Sequence, residues 1–340
     1  MNLYYPNRLV GGFVLACRSC QAGNSNCAFL HSAQIVVNKN YIWKMNRLAT
    51  SSAGAAASSS TETKEHNTVN ITPMFGAVVG DIAGSYYEIH NIKSEDCVIF
   101  HGKSRLTDDS ILTLATAHTF LTRETYCKAY QRWGKQYPDA GYGANFQHWL
   151  QRQNPKPYNS FGNGSAMRVS PVGWVANTLE EALHEATKSA QVTHNHPSGI
   201  KGAQAVAACV FLARLGKSKS EIKEFIERQF EYNLRRKLDG IRPTYKFDVS
   251  CDGSVPEAII AFLESNDFED SIRKAISLGG DSDTIACIAG SISHAYYKEI
   301  PDWMVKNCRH MMNEDQLDVM DEFWERWREG SLSCHPLSDR

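Results

Sequence analysis

The sequence predicts an all-α protein: a single compact multi-helix domain with long loops, preceded by a disordered N-terminal extension. Three observations carry that expectation. From Pro73 onward, apolar residues recur at three- and four-residue spacing in one segment after another, the period of a helix with one buried face. Alternating apolar and polar runs are rare, and "DCVIFHG" at 96–102 is the best strand candidate. Ahead of Pro73 the helical pattern vanishes. There "ATSSAGAAASSSTETKEHN" at 49–67 is a linker of small polar residues that cannot build a core.

Each helix has its own warrant. "GAVVGDIAGSYYEIHN" at 76–91 is a glycine-bearing apolar run, interrupted by Asp81 and Glu88, whose glycines allow close backbone approach. "SILTLATAHTFL" places Ile111, Leu114, Ala115 and His118 on one stripe. "GAQAVAACVFLARLG" carries Ala205, Ala208, Cys209 and Leu212 and stops at a glycine. "SKSEIKEFIERQF" opens on Ser218 and buries Ile222, Phe225 and Ile226. "PEAIIAFLES", "FEDSIRKAISL", "TIACIAGSISHAYY" and "QLDVMDEFWERWREG" complete the series. The expected division is 1–72 as extension and linker, 73–330 as the folded, catalytic domain and 331–340 as a tail.

The 340 residues are 42% hydrophobic and 21% charged, with a formal net charge of -1. That balance suits a globular domain and argues against a nucleic-acid partner, which would show as a basic face. No run of eighteen apolar residues exists, so no membrane span is expected. The chain is expected to be a monomer. Cys209, Cys287 and Cys308 lie inside apolar helical patterns and read as small buried hydrophobes of a reducing, intracellular compartment. Residues 1–61 hold no Asp or Glu but five basic residues, Arg8, Arg18, Lys39, Lys44 and Arg47. Such a segment is a transit peptide, which would place the protein in mitochondria rather than the cytoplasm, or a disordered extension, or the result of a wrongly assigned start, with Met45 or Met74 as the real one. "LVGGFVLAC" imitates a signal-peptide core without a clear cleavage site. Cys17, Cys20, Cys27 and His31 have a zinc-like pattern whose spacing fits no common template.

Four polar clusters interrupt the helices. Besides the 76–91 run, Thr107, Asp108 and Asp109 open the 110–121 helix, where capping alone would explain them. Gly162 and Gly164 flank Asn163 before Ser165, a tight turn or a phosphate cradle. His194 and His196 form a His-x-His pair able to ligate metal, hold a loop or bind phosphate. In "LGGDSDTIACIAGS", Asp281 and Asp283 would diverge by about 200° if both were helical, but converge if a glycine turn leads in extended. Four carboxylates and two threonines from the 107–109 and 281–284 clusters make a hard, all-oxygen set. It suits Mg²⁺, Mn²⁺ or Ca²⁺ rather than zinc, and its four charges balance two divalent ions. "DSDT" lacks the preceding strand of a haloacid-dehalogenase phosphatase, and no EF-hand glycine and glutamate follow it.

Taken in order, "GAVVGDIAGS", "TDDS", "GNGSAMR", "THNHPSG" and "GGDSDTIACIAGSI" resemble the ADP-ribosylglycohydrolases. This all-α family includes the dinitrogenase-reductase-activating glycohydrolase and the ADP-ribosylarginine and ADP-ribosylserine hydrolases. The resemblance covers residues 74 to about 325, with Ser110 and Ser282 standing where threonine is common. It implies two Mg²⁺, with Mn²⁺ as substitute, held by Thr107, Asp108, Asp109, Asp281, Asp283 and Thr284. It implies Glu88, Asp108 and Asp283 as the catalytic carboxylates, Glu88 also gating access. Asn163, Gly164 and Ser165 would bind the diphosphate with His194 opposite, and Phe161 would stack on a base or ribose. The reaction implied is cleavage of the C1″ bond of an ADP-ribosylated protein or related conjugate by metal-activated water, releasing ADP-ribose. Arginine, serine, polymer, nucleic acid and metabolite acceptors stay open, and "GSYYEIHN" favours serine or polymer. Two other readings are a non-catalytic, crystallin-like ADP-ribose binder and a metal-dependent nucleotide phosphohydrolase.

Overall fold

A computed structural model describes residues 73–334. The expectations for residues 1–72, among them the transit segment and the Cys17–His31 pattern, lie outside the described residues, as do residues 335–340. The helices are α1 (Phe75–Ser85), α2 (Asp108–Thr122), α3 (Tyr126–Gln136), α4 (Ala144–Leu150), α5 (Gly164–Met167), α6 (Ser170–Val175), α7 (Leu179–Gln191), α8 (Pro197–Arg214), α9 (Lys219–Phe230), α10 (Leu238–Ile241), α11 (Cys251–Glu264), α12 (Phe268–Ser277), α13 (Ser282–Tyr297), α14 (Asp302–Met311) and α15 (Glu314–Arg328).

The centre of the fold is α13, buried continuously from Ser282 to Ala295. A helix buried on every side lies inside the core. It packs on α1, α8, α11 and α12, and α1 is itself buried from Phe75 to Gly84. These two helices meet backbone to backbone. Gly76, Gly80 and Gly84 lie four residues apart on one face. A methyl group on them would collide with the main chain of Gly290, Ala286 and Ser282 respectively. The glycines of the 76–91 run are therefore spent on this crossing, which brings the acids of α1 and α13 together.

Local signals set the helix ends. Ser218 and Glu221 form a reciprocal capping box at the start of α9. Thr107 accepts from the backbone N–H of Asp109 at the start of α2, so capping is one of its roles. Helix α11 begins at Cys251 rather than at Pro256, because Ser250 caps it and places Pro256 inside. The expected strand at 96–102 does not form. The only bridge among the described residues is the isolated antiparallel pair Gly162–Ser250. Ile99 alone of that run is buried, and Val98 is 61% exposed. Its carbonyls are met by side chains instead: Tyr87 Oη donates to Val98 at 2.9 Å and Arg273 Nη1 to Cys97 at 2.8 Å. No neighbouring segment offers a ladder. The described cysteines are unpaired, with Cys209, Cys287 and Cys308 buried. Among the described residues no helix is long and apolar enough to cross a membrane. Leu332 and Cys334 are buried, so packing continues past residue 330.

Candidate active site

The glycine turn before α13 builds one wall. Gly279 and Gly280 both take left-handed backbone angles, φ 65° and 75°, which glycine reaches without steric cost. The helix starts at Ser282, with Asp281 as its non-helical N-cap. Asp281 and Asp283 therefore converge as expected, although Asp283 already lies in the first turn. Asn91 ties this turn to the segment carrying Glu88. Its Nδ2 donates to the carbonyls of Glu88 at 2.7 Å and Gly280 at 3.3 Å, and its Oδ1 accepts from the Gly280 N–H.

Two groups of acids result. Glu88, Asp281 and Asp283 bring oxygens within 4.8 Å of one another, and so do Asp81, Asp109 and Asp283. Asp283 is common to both. Asp81, buried in α1, differs in kind from the others. Its carboxylate accepts from the Thr107 hydroxyl at 2.6 Å and backbone N–H at 2.9 Å, from the Ser110 N–H at 3.1 Å and from the Ser110 hydroxyl. Its oxygens are occupied, so it orients the start of α2 rather than offering a free ligand atom. Asp109 is the converse case. Its Oδ2 accepts from Thr284 at 3.2 Å, while its Oδ1 is buried with no partner. An orphaned carboxylate oxygen in this cluster fits a cation. Asp108 joins neither group; it faces the cavity and stays partly exposed.

Electrostatics point the same way. Burial, then Asp81 and Asp281, push the Asp108 carboxyl up to about 7. Burial raises Asp81, Glu88 and Asp281, and burial with neighbouring acids lifts Asp109 and Asp283 well above the carboxylate range. So many acids around one point are stable as anions only beside positive charge.

The cluster forms one end of a cavity of about 470 Å³. The far end is built by the glycine loop and the loop before α8. Asn163 is buried and donates to Asp281 Oδ2 at 2.7 Å, linking the two ends. The histidine pair divides its work. His194 lines the cavity, its imidazole held well below the usual histidine range by burial and by Arg168. His196 instead caps α8, accepting from the Ser198 N–H at 3.1 Å. Gly164 also lines the cavity, but Ser165 and Phe161 do not. The Ser165 hydroxyl donates to the Gly199 carbonyl at 2.7 Å, and the Phe161 ring is 54% exposed, edge-on to His196. Phe247 and Val249, half exposed, line the wall instead. The sequence offers few signals for these two. Asp81 was visible as an acid inside an apolar run, and Asn91 closes the same stretch, but neither stands out as part of the site.

An all-helical core gathers an acid cluster capable of holding cations and sets it across one cavity from a glycine loop, an arrangement suited to metal-assisted hydrolysis. Comparison with known sequences narrows that class. The ADP-ribosylglycohydrolase family model matches residues 73–332, and the chain belongs to this family of glycohydrolase enzymes. It is 29% identical to the ADP-ribosylhydrolase ARH3 of Homo sapiens over 324 residues, covering 71% of this chain and 89% of that one. It is 26% identical to the ADP-ribosylarginine hydrolase Tri1 of Pseudomonas putida (strain GB-1), covering 68% and 72%. A solved structure, an ADP-ribosylglycohydrolase-related protein complex, superposes with a TM-score of 0.58 at 22% identity, over 77% of this chain and 98% of that one; it supports the fold.

Proposed function

We propose that the enzyme cleaves the C1″ glycosidic bond between ADP-ribose and a modified side chain or related conjugate, releasing ADP-ribose, and that it uses two Mg²⁺, replaceable by Mn²⁺. The observation that carries this reading is the two acid groups sharing Asp283 at one end of a cavity whose other end is lined by Asn163, Gly164, His194 and Arg168. Asp109, Asp281 and Asp283 would hold the ions with Thr107, Thr284 and Glu88. Divalent cations held there would supply charge to orient ribose hydroxyls and acidify a water.

The remaining work falls to the protein. Asp81 fixes the Thr107–Ser110 turn, so Asp109 meets the cluster at a set angle. Asn163 holds Asp281 in place. Glu88 is half-buried at the cavity edge and would take a proton or admit substrate there. His194 and the loop backbone at Gly164 would bind the diphosphate, placing the anomeric carbon over the acids, while the Asn163 N–H is already held by the Val249 carbonyl at 2.7 Å. Phe247 and Val249 would receive the base. Ser165 would support the loop through Gly199 rather than touch substrate, and Phe161 would reach a base only from outside the cavity.

Matched peptides ADP-ribosylated on serine and on arginine, incubated with Mg²⁺ and again with excess chelator, test this by mass spectrometry of the products. The expected result is chelator-sensitive release of intact ADP-ribose, from the serine peptide in preference. Release of AMP or phosphate would replace this reading with the phosphohydrolase.

A further inference from the structure

Arg168 is fully buried, and among the described residues it has no carboxylate partner. A buried guanidinium without a counter-ion is costly and calls for a reason. Its plane stacks over the Tyr130 ring, 4.2 Å from the centroid. Nη2 donates to the Ser189 carbonyl at 2.9 Å and to the Thr193 hydroxyl at 2.8 Å, while Nε and Nη1 have no partner. Thr193, also fully buried, lies 2.7 Å from His194 Nδ1.

These contacts settle where each hydrogen goes. Arginine can only donate, so the Thr193 oxygen accepts from it. The hydroxyl hydrogen then has one neighbour able to take it, His194 Nδ1. The reverse arrangement, with Nδ1–H donating to the oxygen, would strand a buried hydroxyl hydrogen. His194 is thus the tautomer with its proton on Nε2. That nitrogen faces Gly162 and Gly164, where a methyl group would stand 3.5 and 3.2 Å from it.

We infer that Arg168 and Thr193 are positioning residues that lock His194 as a neutral Nε2–H donor aimed at the glycine loop, ready for a phosphate oxygen of the substrate. The relay supplies a directed donor where the acid end of the cavity repels an anion, and Arg168 adds fixed positive charge behind it. It deepens the ADP-ribose reading and rests on it for the ligand.

Two measurements on the full chain test it. Long-range nitrogen–proton correlation spectra of histidine-labelled protein, without ligand, report the tautomer of His194, assigned by its loss in His194→Gln. The expected pattern is Nε2–H at neutral pH, kept in Thr193→Ser and lost in Thr193→Val. Calorimetric titration with free ADP-ribose should show affinity reduced about ten-fold in Thr193→Val and restored in Thr193→Ser, with KM raised and kcat within about two-fold. An Nδ1–H or doubly protonated ring in the parent chain, or unchanged affinity in a folded Thr193→Val, overturns the relay. If the parent chain fails to bind ADP-ribose, the functional reading falls, while the tautomer spectrum still decides the relay.

Discussion

Asp283 belongs to both acid groups, so its loss should act differently from that of any neighbour. Asp283→Ala is expected to remove both cation sites and to lower turnover by at least about a thousand-fold, the scale of a group on which the reaction depends. Calorimetric Mg²⁺ titration beside the peptide assay checks this, and parent-like rates would end the assignment. Asp281→Ala should weaken one site and leave the other measurable, since Asp109 and Asp283 remain. Asp81 lies beside both but has a different duty, because its oxygens are taken by Thr107 and Ser110. Proximity alone would count it as a ligand; the hydrogen-bond inventory makes it a brace.

The decisive element pair is α1 and α13. A methyl group on Gly80 would press into the Ala286 carbonyl and the backbone beyond it, which cannot move as the tip of a side chain can. Gly80→Ala should therefore separate the helices and cost at least about 1–3 kcal/mol, the usual range for overpacking. Denaturant unfolding measures that cost. Activity should fall as well, because the same crossing sets the distance between Asp81 and Asp283. A stable, fully active Gly80→Ala would show that the backbones need not touch. The glycine turn before α13 works alongside this contact, and Asn91 fastens it to the Glu88 segment.

Across the whole molecule, cations held by the acid cluster would link folding to metal binding. The cluster's carboxyls are raised above their ordinary values, Asp109 and Asp283 well above, and the folded state therefore binds protons more tightly than the unfolded chain. For a raised carboxyl, the stabilising contribution is complete below the ordinary range near pH 4 and is lost as pH rises through the folded value. Without cations the chain should thus lose stability as pH rises above about 4, and cations should offset that loss. Chelation is expected to lower Tm more at about pH 7.5 than at about pH 5. Equal shifts at both, or none at the higher pH, would count against the cluster as a cation site. Much of this was legible in the chain. Helical spacing declared the α class, because its period is a local property, and the Asp109, Asp281 and Asp283 carboxylates that the sequence marked do gather, while Asp108 joins neither group. Boundaries and roles were less so. The 96–102 run looked like a strand because alternation says nothing of a missing partner, and Ser165 and Phe161 looked like site residues because adjacency in sequence does not tell which way a side chain turns. The sequence by itself determined the fold class and the family. Only the tertiary structure decided that Asp81 braces, that Asp283 is shared, that His194 rather than His196 enters the cavity and that Arg168 stands behind it. Those facts depend on which backbones pack in contact, and contacts between residues hundreds of positions apart are set by the packed core.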